Sequence, residues 1–497
     1  MKNPNNKMWF RNFCLAMCCS LFSVLYIQAE TVPEIGESFP EGAPIIYTIR
    51  TIDDSKGTVA VAAQYSNSVV GDIVIPGTVE YKNMQFTVTD ISSFSNCKNM
   101  TSITIPDTVT YIGPSAFINC AMLESIVIPN HVSAILTRTF YNCGSLKNVR
   151  LPEGAACIEV EAFRKCVSLK NIVIPDHLTI LEESAFAECT GLTQIALGKN
   201  VLTIGNNAFF GCKSLNSIII PDSVNFIEKE AFRNCKNLKT AVLGSGLITI
   251  GENAFNSTGL TGIVIPDNVI SIGEMAFFGC SDLSDVVFGK GLTAIDYAVF
   301  GDSGLTSITI PDNITEIGEE AFSSCTGLNQ VTLGRGLTSI QSRAFYGCAG
   351  LKEITIPSSV TSMGSMVFRF CSDLNRVVYQ GNVPNVEGDT LYSNTPETLT
   401  SYYPKGNTTW ENAVVDGMWQ YRKAVSSEPS PEPEKDIDYV IIQNDILNIS
   451  FRGTLQESTD MKVWKTLDAV SPYTVKMIGT QKFYRTLNDV SGDANSH

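Results

Sequence analysis

From Phe94 to Phe368 the apolar residues fall at fixed offsets. A phenylalanine, usually behind an alanine, recurs thirteen times, ten times at a spacing of 23 residues and twice at 22. With Phe as position zero the text reads F-x-x-C-x-x-L-x-x-I-x-I-P-x-x-V-x-x-I-x-x-x-A. The copy from Phe209 carries all of it: Cys212, Leu215, Ile218, Ile220, Pro221, Val224, Ile227 and Ala231. A strict Leu- and Ile-rich period of roughly 20–29 residues predicts a solenoid, because one such unit cannot bury its own apolar face and must stack on its neighbours. The I-x-I segment has the strand period of two, so its isoleucines point inward and the residues beside them outward. Pro or Gly then ends the strand, since Pro has no N–H for the ladder and Gly weakens it. V-x-x-I predicts a second short extended segment. The Ala-Phe pair packs the opposite side.

Two departures from the repeat are regular. The strand-ending position alternates from residue 175 onward, Pro175, Gly198, Pro221, Gly244, Pro266, Gly289, Pro311, Gly334, Pro357, as a duplicated two-coil unit would leave it. The two 22-residue coils start at Phe255 and Phe300 and lack the cysteine, so Ser257 or Ser303 is expected in the place of the thiol. The solenoid ends need covers, because an open strand edge invites pairing with another chain. Residues 30–93 are expected to form an N-terminal β cap and a first partial coil, with strands at Ile45–Ile52, Gly57–Ala63 and Gly71–Pro76 and a hairpin at Val79–Val88. The solenoid itself is placed at 94–380. Residues 381–425 lose the period, and their Tyr402, Tyr403, Trp410 and Trp419 are expected to fill an irregular cap.

The run Leu305-Thr-Ser-Ile-Thr-Ile-Pro-Asp-Asn-Ile-Thr-Glu-Ile-Gly-Glu-Glu-Ala-Phe-Ser-Ser-Cys325 resembles the BspA-like leucine-rich repeat family, a class of secreted or surface proteins. The resemblance covers about residues 71–380. It implies a right-handed, mostly β leucine-rich-repeat solenoid of about 13 coils and a non-enzymatic role in adhesion or host-protein binding.

The 15 cysteines look like a disulfide framework until they are placed. Cys14, Cys18 and Cys19 fall in the first 29 residues. Eleven occupy one position of the coil: Cys97, Cys120, Cys143, Cys166, Cys189, Cys212, Cys235, Cys280, Cys325, Cys348 and Cys371; Cys157 alone is off register. Side chains at one register stack about 4.8 Å apart and run parallel, whereas a disulfide wants Cβ atoms about 3.8 Å apart and turned toward each other. The expectation is a structural ladder of reduced, buried thiols. The mature chain has no C-x-x-C pair, so no metal site or redox cofactor is expected. The chain has three histidines, and His131 and His177 lie in turns with no catalytic motif around them. Asp176, Asp222, Asp267 and Asp312 follow the strand-ending Pro at the repeat period and read as turn-capping residues, not as a hydrolytic pair. No P-loop, G-x-S-x-G or H-E-x-x-H occurs, and no enzyme activity is expected.

The outward strand column is the candidate protein-binding stripe. Its central run, Val173, Ala196, Ile219, Val242, Val264 and Val287, is apolar, and a polar border of Asn171, Gln194, Ser217, Thr240, Gly262 and Asp285 runs beside it. A continuous exposed apolar stripe often marks a protein partner.

Charge narrows the choice of partner. With 35 Lys and Arg against 50 Asp and Glu the net charge is −15. Nucleic acid is therefore not expected as a partner, because phosphate binding needs clustered cations. Residues 1–29 carry Lys2, Lys7 and Arg11, then the apolar run Phe13–Ile27, and read as a signal peptide cleaved after Ala29. The protein is therefore expected to be secreted or at the cell surface, with no membrane insertion once the signal is removed. Pro429, Pro431 and Pro433 mark residues 426–435 as an extended linker. Residues 436–497 resemble a small β module at the C-termini of secreted bacterial proteins. The sequence-level reading is an exported protein that binds an extracellular or host protein through its solenoid. The alternative is an envelope structural or glycan-binding protein in which the C-terminal module recognises or attaches.

Overall fold

The repeat text fixes where each coil bends. In the coil from Phe209, Ser217–Ile219 is extended and ends at Pro221, and Phe226–Ile227 is extended again. The remaining residues form turns around the buried Phe209 and Phe232. The computed structural model describes residues 33–427, apart from 54, 55 and 389, and beyond them the backbone of six strands between 437 and 487. Residues 1–29, with Cys14, Cys18 and Cys19, and residues 428–435 of the linker lie outside the described residues. The chain winds into a nearly all-β solenoid of about 15 turns, two more than the thirteen phenylalanines count. It divides into two units, up to Leu238 and from Lys239.

In the first unit, strands Ser38–Phe39, Ile45–Asp53, Lys56–Ala63, Met84–Ser93 and Thr78–Tyr81 pair in that order. Thr78–Tyr81 and Met84–Ser93 form a hairpin whose turn residues, Lys82 and Asn83, both have positive φ. Met84–Ser93 also pairs in parallel with Tyr111–Ile112, so the cap passes into the repeat. Two parallel ladders follow. Val127 faces Arg150 and Val173 faces Ala196 on the first ladder; Ile180, Thr203 and Phe226 are successive partners on the second. Each step is 23 residues, so every residue faces its own repeat position in the next coil.

The third side has no strands but is bonded between coils as a sheet would be. The Phe117 N–H donates to Thr139 O at 2.9 Å, Phe140 to Ala162 at 2.8 Å and Phe163 to Ala185 at 2.8 Å. The turns that make this possible pass through the left-handed region two residues before and two after each Phe from Phe117 onward, as at Ser115 and Asn119. Asn tolerates that region better than most residues. Within the turns the phenylalanines stack, Phe117 on Phe140 at 5.4 Å and Phe163 on Phe186 at 5.2 Å.

The second unit repeats this coil. Val264 pairs with Val287, Thr309 with Thr332, and Thr355 with Val378. The 22-residue steps, Thr249 to Ser271 and Ala294 to Glu316, keep both partners in register, because the lost residue comes from the turn just after the cysteine position. Past Val378 the sequence loses its period but the ladder does not stop. Thr400–Pro404 and Arg422–Ser427 add two more parallel strands, and Tyr392 stacks on Phe368 at 5.9 Å as the next rung. The cap's connections are irregular, with a short helix at Thr408–Ala413, while its strands keep the solenoid pairing. Its core is aromatic: Tyr379, Tyr392, Tyr403, Trp410 and Trp419 are buried, and Tyr402 instead lies half-buried under Arg376.

The glycines of the alternating series stand where the backbone of the preceding coil comes close. A Cβ on Gly198 would sit 2.2 Å from Pro175 O, one on Gly289 2.3 Å from Pro266 O, and one on Gly334 2.5 Å from Pro311 O. At these three glycines the proline carbonyl of the preceding coil occupies the space a side chain would need, whereas Pro129, Pro152 and Pro175 each follow a proline at the same position.

Candidate functional site

A three-residue parallel strand with its middle residue buried must present the two flanking residues outward. In the first unit that geometry leaves Val127, Val173 and Ile219 58%, 70% and 68% exposed, and Ala196 exposed between them. Val74, in the strand Val70–Val74 that pairs with Asn99–Thr104, extends the column into the cap. Asn148, Asn171, Gln194 and Ser217 are exposed beside it and supply the polar border. These side chains sit on backbone fixed by ladder bonds, so a partner meets them already ordered.

The second unit departs from the expected open stripe. Val242 and Val264 are only half-buried, but Val287 is 2% exposed although it occupies the same outward position. Gly262, in the border column, is buried as well. Strand Ile437–Gln443 of the C-terminal module lies against strand Asp285–Val287. Val287 is therefore corrected from an exposed to a covered residue.

A second outward column escaped the sequence reading. The residue before the last Ile of V-x-x-I also faces solvent, and in the first unit this second wall carries Tyr111 (46% exposed), Ile180, and Phe226 (39% exposed), with Leu202 beside them. Ile180 and Phe226 flank Thr203 in the ladder. The signal is in the sequence, since V-x-x-I is an extended segment and the residue before its last Ile must then turn outward.

The eleven ladder cysteines are buried, and none forms a disulfide. Each from Cys120 onward donates its S–H to the phenylalanine carbonyl of the preceding coil. Cys143 reaches Phe117 O at 3.0 Å, Cys189 reaches Phe163 O at 3.0 Å and Cys371 reaches Phe345 O at 3.1 Å. The same carbonyl already accepts the N–H of its own coil's cysteine, as Phe117 O does from Cys120. The thiol is thus a small apolar filler that also serves a second lone pair. In the two coils without cysteine the hydroxyls are Thr258 and Ser303, each 3.2 Å from the next thiol, Cys280 or Cys325. Ser257 does not take the thiol's place; it sits one residue earlier, at the left-handed turn position. Burial pushes the Cys189 and Cys235 thiols up to about 12. Burial raises Cys280 and Cys325 only to about 11, because the neighbouring hydroxyls favour the thiolate. Cys157, off the ladder and half-buried, is raised first by burial and then by Glu159 and Glu182.

Three of the periodic aspartates tie coils together. Asp176 accepts the Lys199 N–H at 3.0 Å, Asp267 that of Lys290 at 3.1 Å and Asp312 that of Arg335 at 2.7 Å. The Lys199 hydrogen bonds, first from its ammonium and then from its N–H, hold Asp176 below the usual carboxylate range. His131 and His177 are exposed, and the His131 ring is 3.1 Å from Asp107 O. Among the described residues no group of three or more His, Cys, Asp or Glu side chains is placed to hold a metal ion. No described helix is long and apolar enough to cross a membrane.

Residues 87–216, 156–284 and 293–417 match the family described as BspA type leucine rich repeat region (6 copies), which together is more than half of the chain. The chain belongs to the BspA-type leucine-rich repeat family. A leucine-rich repeat protein from Bacteroides ovatus is 28% identical with a TM-score of 0.61, over 77% of this chain and 98% of its own. A leucine rich cell surface protein from Faecalibacterium prausnitzii is 28% identical with a TM-score of 0.43, over 71% and 97%. The pneumococcal vaccine antigen PcpA is 18% identical with a TM-score of 0.41, over 80% and 100%. No curated protein matches the chain. In this chain the constant positions are the buried Phe, Cys, Leu and Ile, and the varied ones are the two outward columns.

Proposed function

We propose that this is an exported, non-enzymatic scaffold that binds an extracellular or host protein at the cell surface through the outward strand column of its first unit. The observation that carries the reading is the exposure of Val127, Val173 and Ile219 on a ladder whose backbone is already hydrogen-bonded. Three β-branched side chains held out of the core in one column, with amide and hydroxyl side chains beside them, offer a contact surface with little ordering cost on association. The basic and then apolar composition of residues 1–29 supports export. Membership of the BspA-type family supports a binding scaffold over a catalyst.

The test is a binding array of extracellular-matrix proteins, mucins and polysaccharides, probed with the full chain and with a Val173→Glu, Ile219→Glu double variant. A protein ligand that binds the parent and loses at least about tenfold in affinity for the variant, roughly 1.4 kcal/mol, supports the reading. Equal binding by a variant with the parent's circular dichroism refutes the column as the site. Binding confined to polysaccharides refutes the protein-partner reading.

A further inference from the structure

The strand column of the second unit is built like that of the first and yet is covered. Val264 pairs with Val287 in the same parallel register that joins Val173 to Ala196. The inward neighbours are buried in both units, Ile172 in one and Val286 in the other. The outward residues are not alike: Val173 is open and Val287 is closed. Gly262 is also closed, where Asn171 and Gln194 are open. The coil cannot be the cause, because an outward residue of a single-layer parallel ladder has nothing of its own coil above it. The element beside Asp285–Val287 is strand Ile437–Gln443.

We infer that the C-terminal module docks on the strand wall of the second unit, over Val264 and Val287, and that this chain is the resident partner of that face. The length of the connection fits. From the last solenoid strand, Arg422–Ser427, back to Asp285–Val287 is six ladder steps, through Thr400–Pro404, Arg376–Tyr379, Glu353–Ile356, Gln330–Thr332 and Ser307–Thr309. At about 4.8 Å per step that is roughly 29 Å. Ten residue steps separate Ser427 from Ile437, and a proline-rich segment advances about 3.1 Å per residue, or roughly 31 Å. The segment is long enough to return the module to Asp285 with little to spare. The first strand of the module brings Tyr439, Val440, Ile441 and Ile442 in its sequence, an apolar text suited to an apolar column. The consequence is a division of labour: the column of the first unit is open to an outside protein, and that of the second is occupied until the module leaves. The inference does not depend on the partner reading above, because no outside ligand enters its test.

The experiment measures maleimide labelling of the native full chain carrying Val287→Cys, beside a chain carrying Ile219→Cys. The buried ladder thiols give the slow background. Cys at 287 is expected to label at least about tenfold more slowly than Cys at 219, because it reacts only when the cover opens. Equal rates overturn the inference. A second arm places a protease site within residues 428–436 and cuts the folded Val287→Cys chain. If the module then co-elutes with the solenoid, or separates while labelling rises to the Ile219→Cys rate, docking is supported. If it separates and labelling stays slow, the coil buries position 287 and the inference fails. Should Val287→Cys not fold, Val264→Cys at the half-buried neighbouring rung takes its place with the same outcomes.

Discussion

Phe209 and Ile219 belong to one coil, ten residues apart, and are governed by opposite constraints. Phe209 is wholly buried, stacked between Phe186 and Phe232 at 5.5 and 5.2 Å, and the same residue recurs in the thirteen coils from Phe94 to Phe368. Ile219 stands in solvent, and its column runs through valine, alanine, isoleucine, threonine and arginine. Stacking explains the difference. An inward side chain touches its own copy in both adjacent coils, so a change in one coil must be matched in two others. An outward side chain touches only its ladder neighbours and whatever binds there. The repeat is thus conservative where coils meet each other and free where they meet something else.

The largest effect should come from breaking the inward side. Phe209→Ala is expected to cost about 3–5 kcal/mol, because it empties a buried aromatic site between two stacked rings. Val173→Ala on the outward side should change stability by no more than about 0.5 kcal/mol. Urea unfolding of the two variants against the parent checks this, and similar midpoints would abolish the distinction. A smaller loss is expected from Gly198→Ala, about 1–3 kcal/mol, because its new Cβ meets the backbone carbonyl of Pro175 and a strand must shift. An unchanged urea midpoint would show that the alternation of Pro and Gly records ancestry alone.

The finest probe is pH. The Cys189 and Cys235 thiols sit at about 12 when folded, against about 8.5 for an unfolded thiol. A group raised on folding contributes its stability fully below the unfolded value and loses it as pH rises toward the folded value. The urea midpoint should therefore fall between about pH 8.5 and 12. It should fall less in a Cys189→Ala, Cys235→Ala chain. At neutral pH each of those substitutions should cost only about 0.5–1.5 kcal/mol, the net worth of one hydrogen bond. A pH profile that does not change with the substitutions would remove the thiols as the cause.

Much of this is legible in the sequence. The inward ladders are, because a 23-residue period places identical side chains one above another whatever the details of the turn. The missed features all depend on contacts between coils or on distant segments. Thr258 fills the thiol's place because the deleted residue follows it, which the eye misses when Ser257 and Ser303 look alike. Asp176, read as closing its own turn, reaches the Lys199 N–H in the next coil. Residues 381–425 lost their sequence period while keeping their strands, because Tyr392, Trp410 and Trp419 fill with bulk what Phe and Leu fill by repetition.

The sequence by itself determined the coil: its length, its strands, its buried column of rings and thiols, and which residues turn outward. These follow from local periodicity and from a neighbour that is always the same text, so knowing one coil is knowing what it packs against. Tertiary structure alone decided which outward residues are free. Val173 and Val287 are the same residue type at the same register, and only a segment some 150 positions further along the chain distinguishes the open one from the covered one. Exposure is set by what comes to lie above a surface, and no period within the coil encodes that.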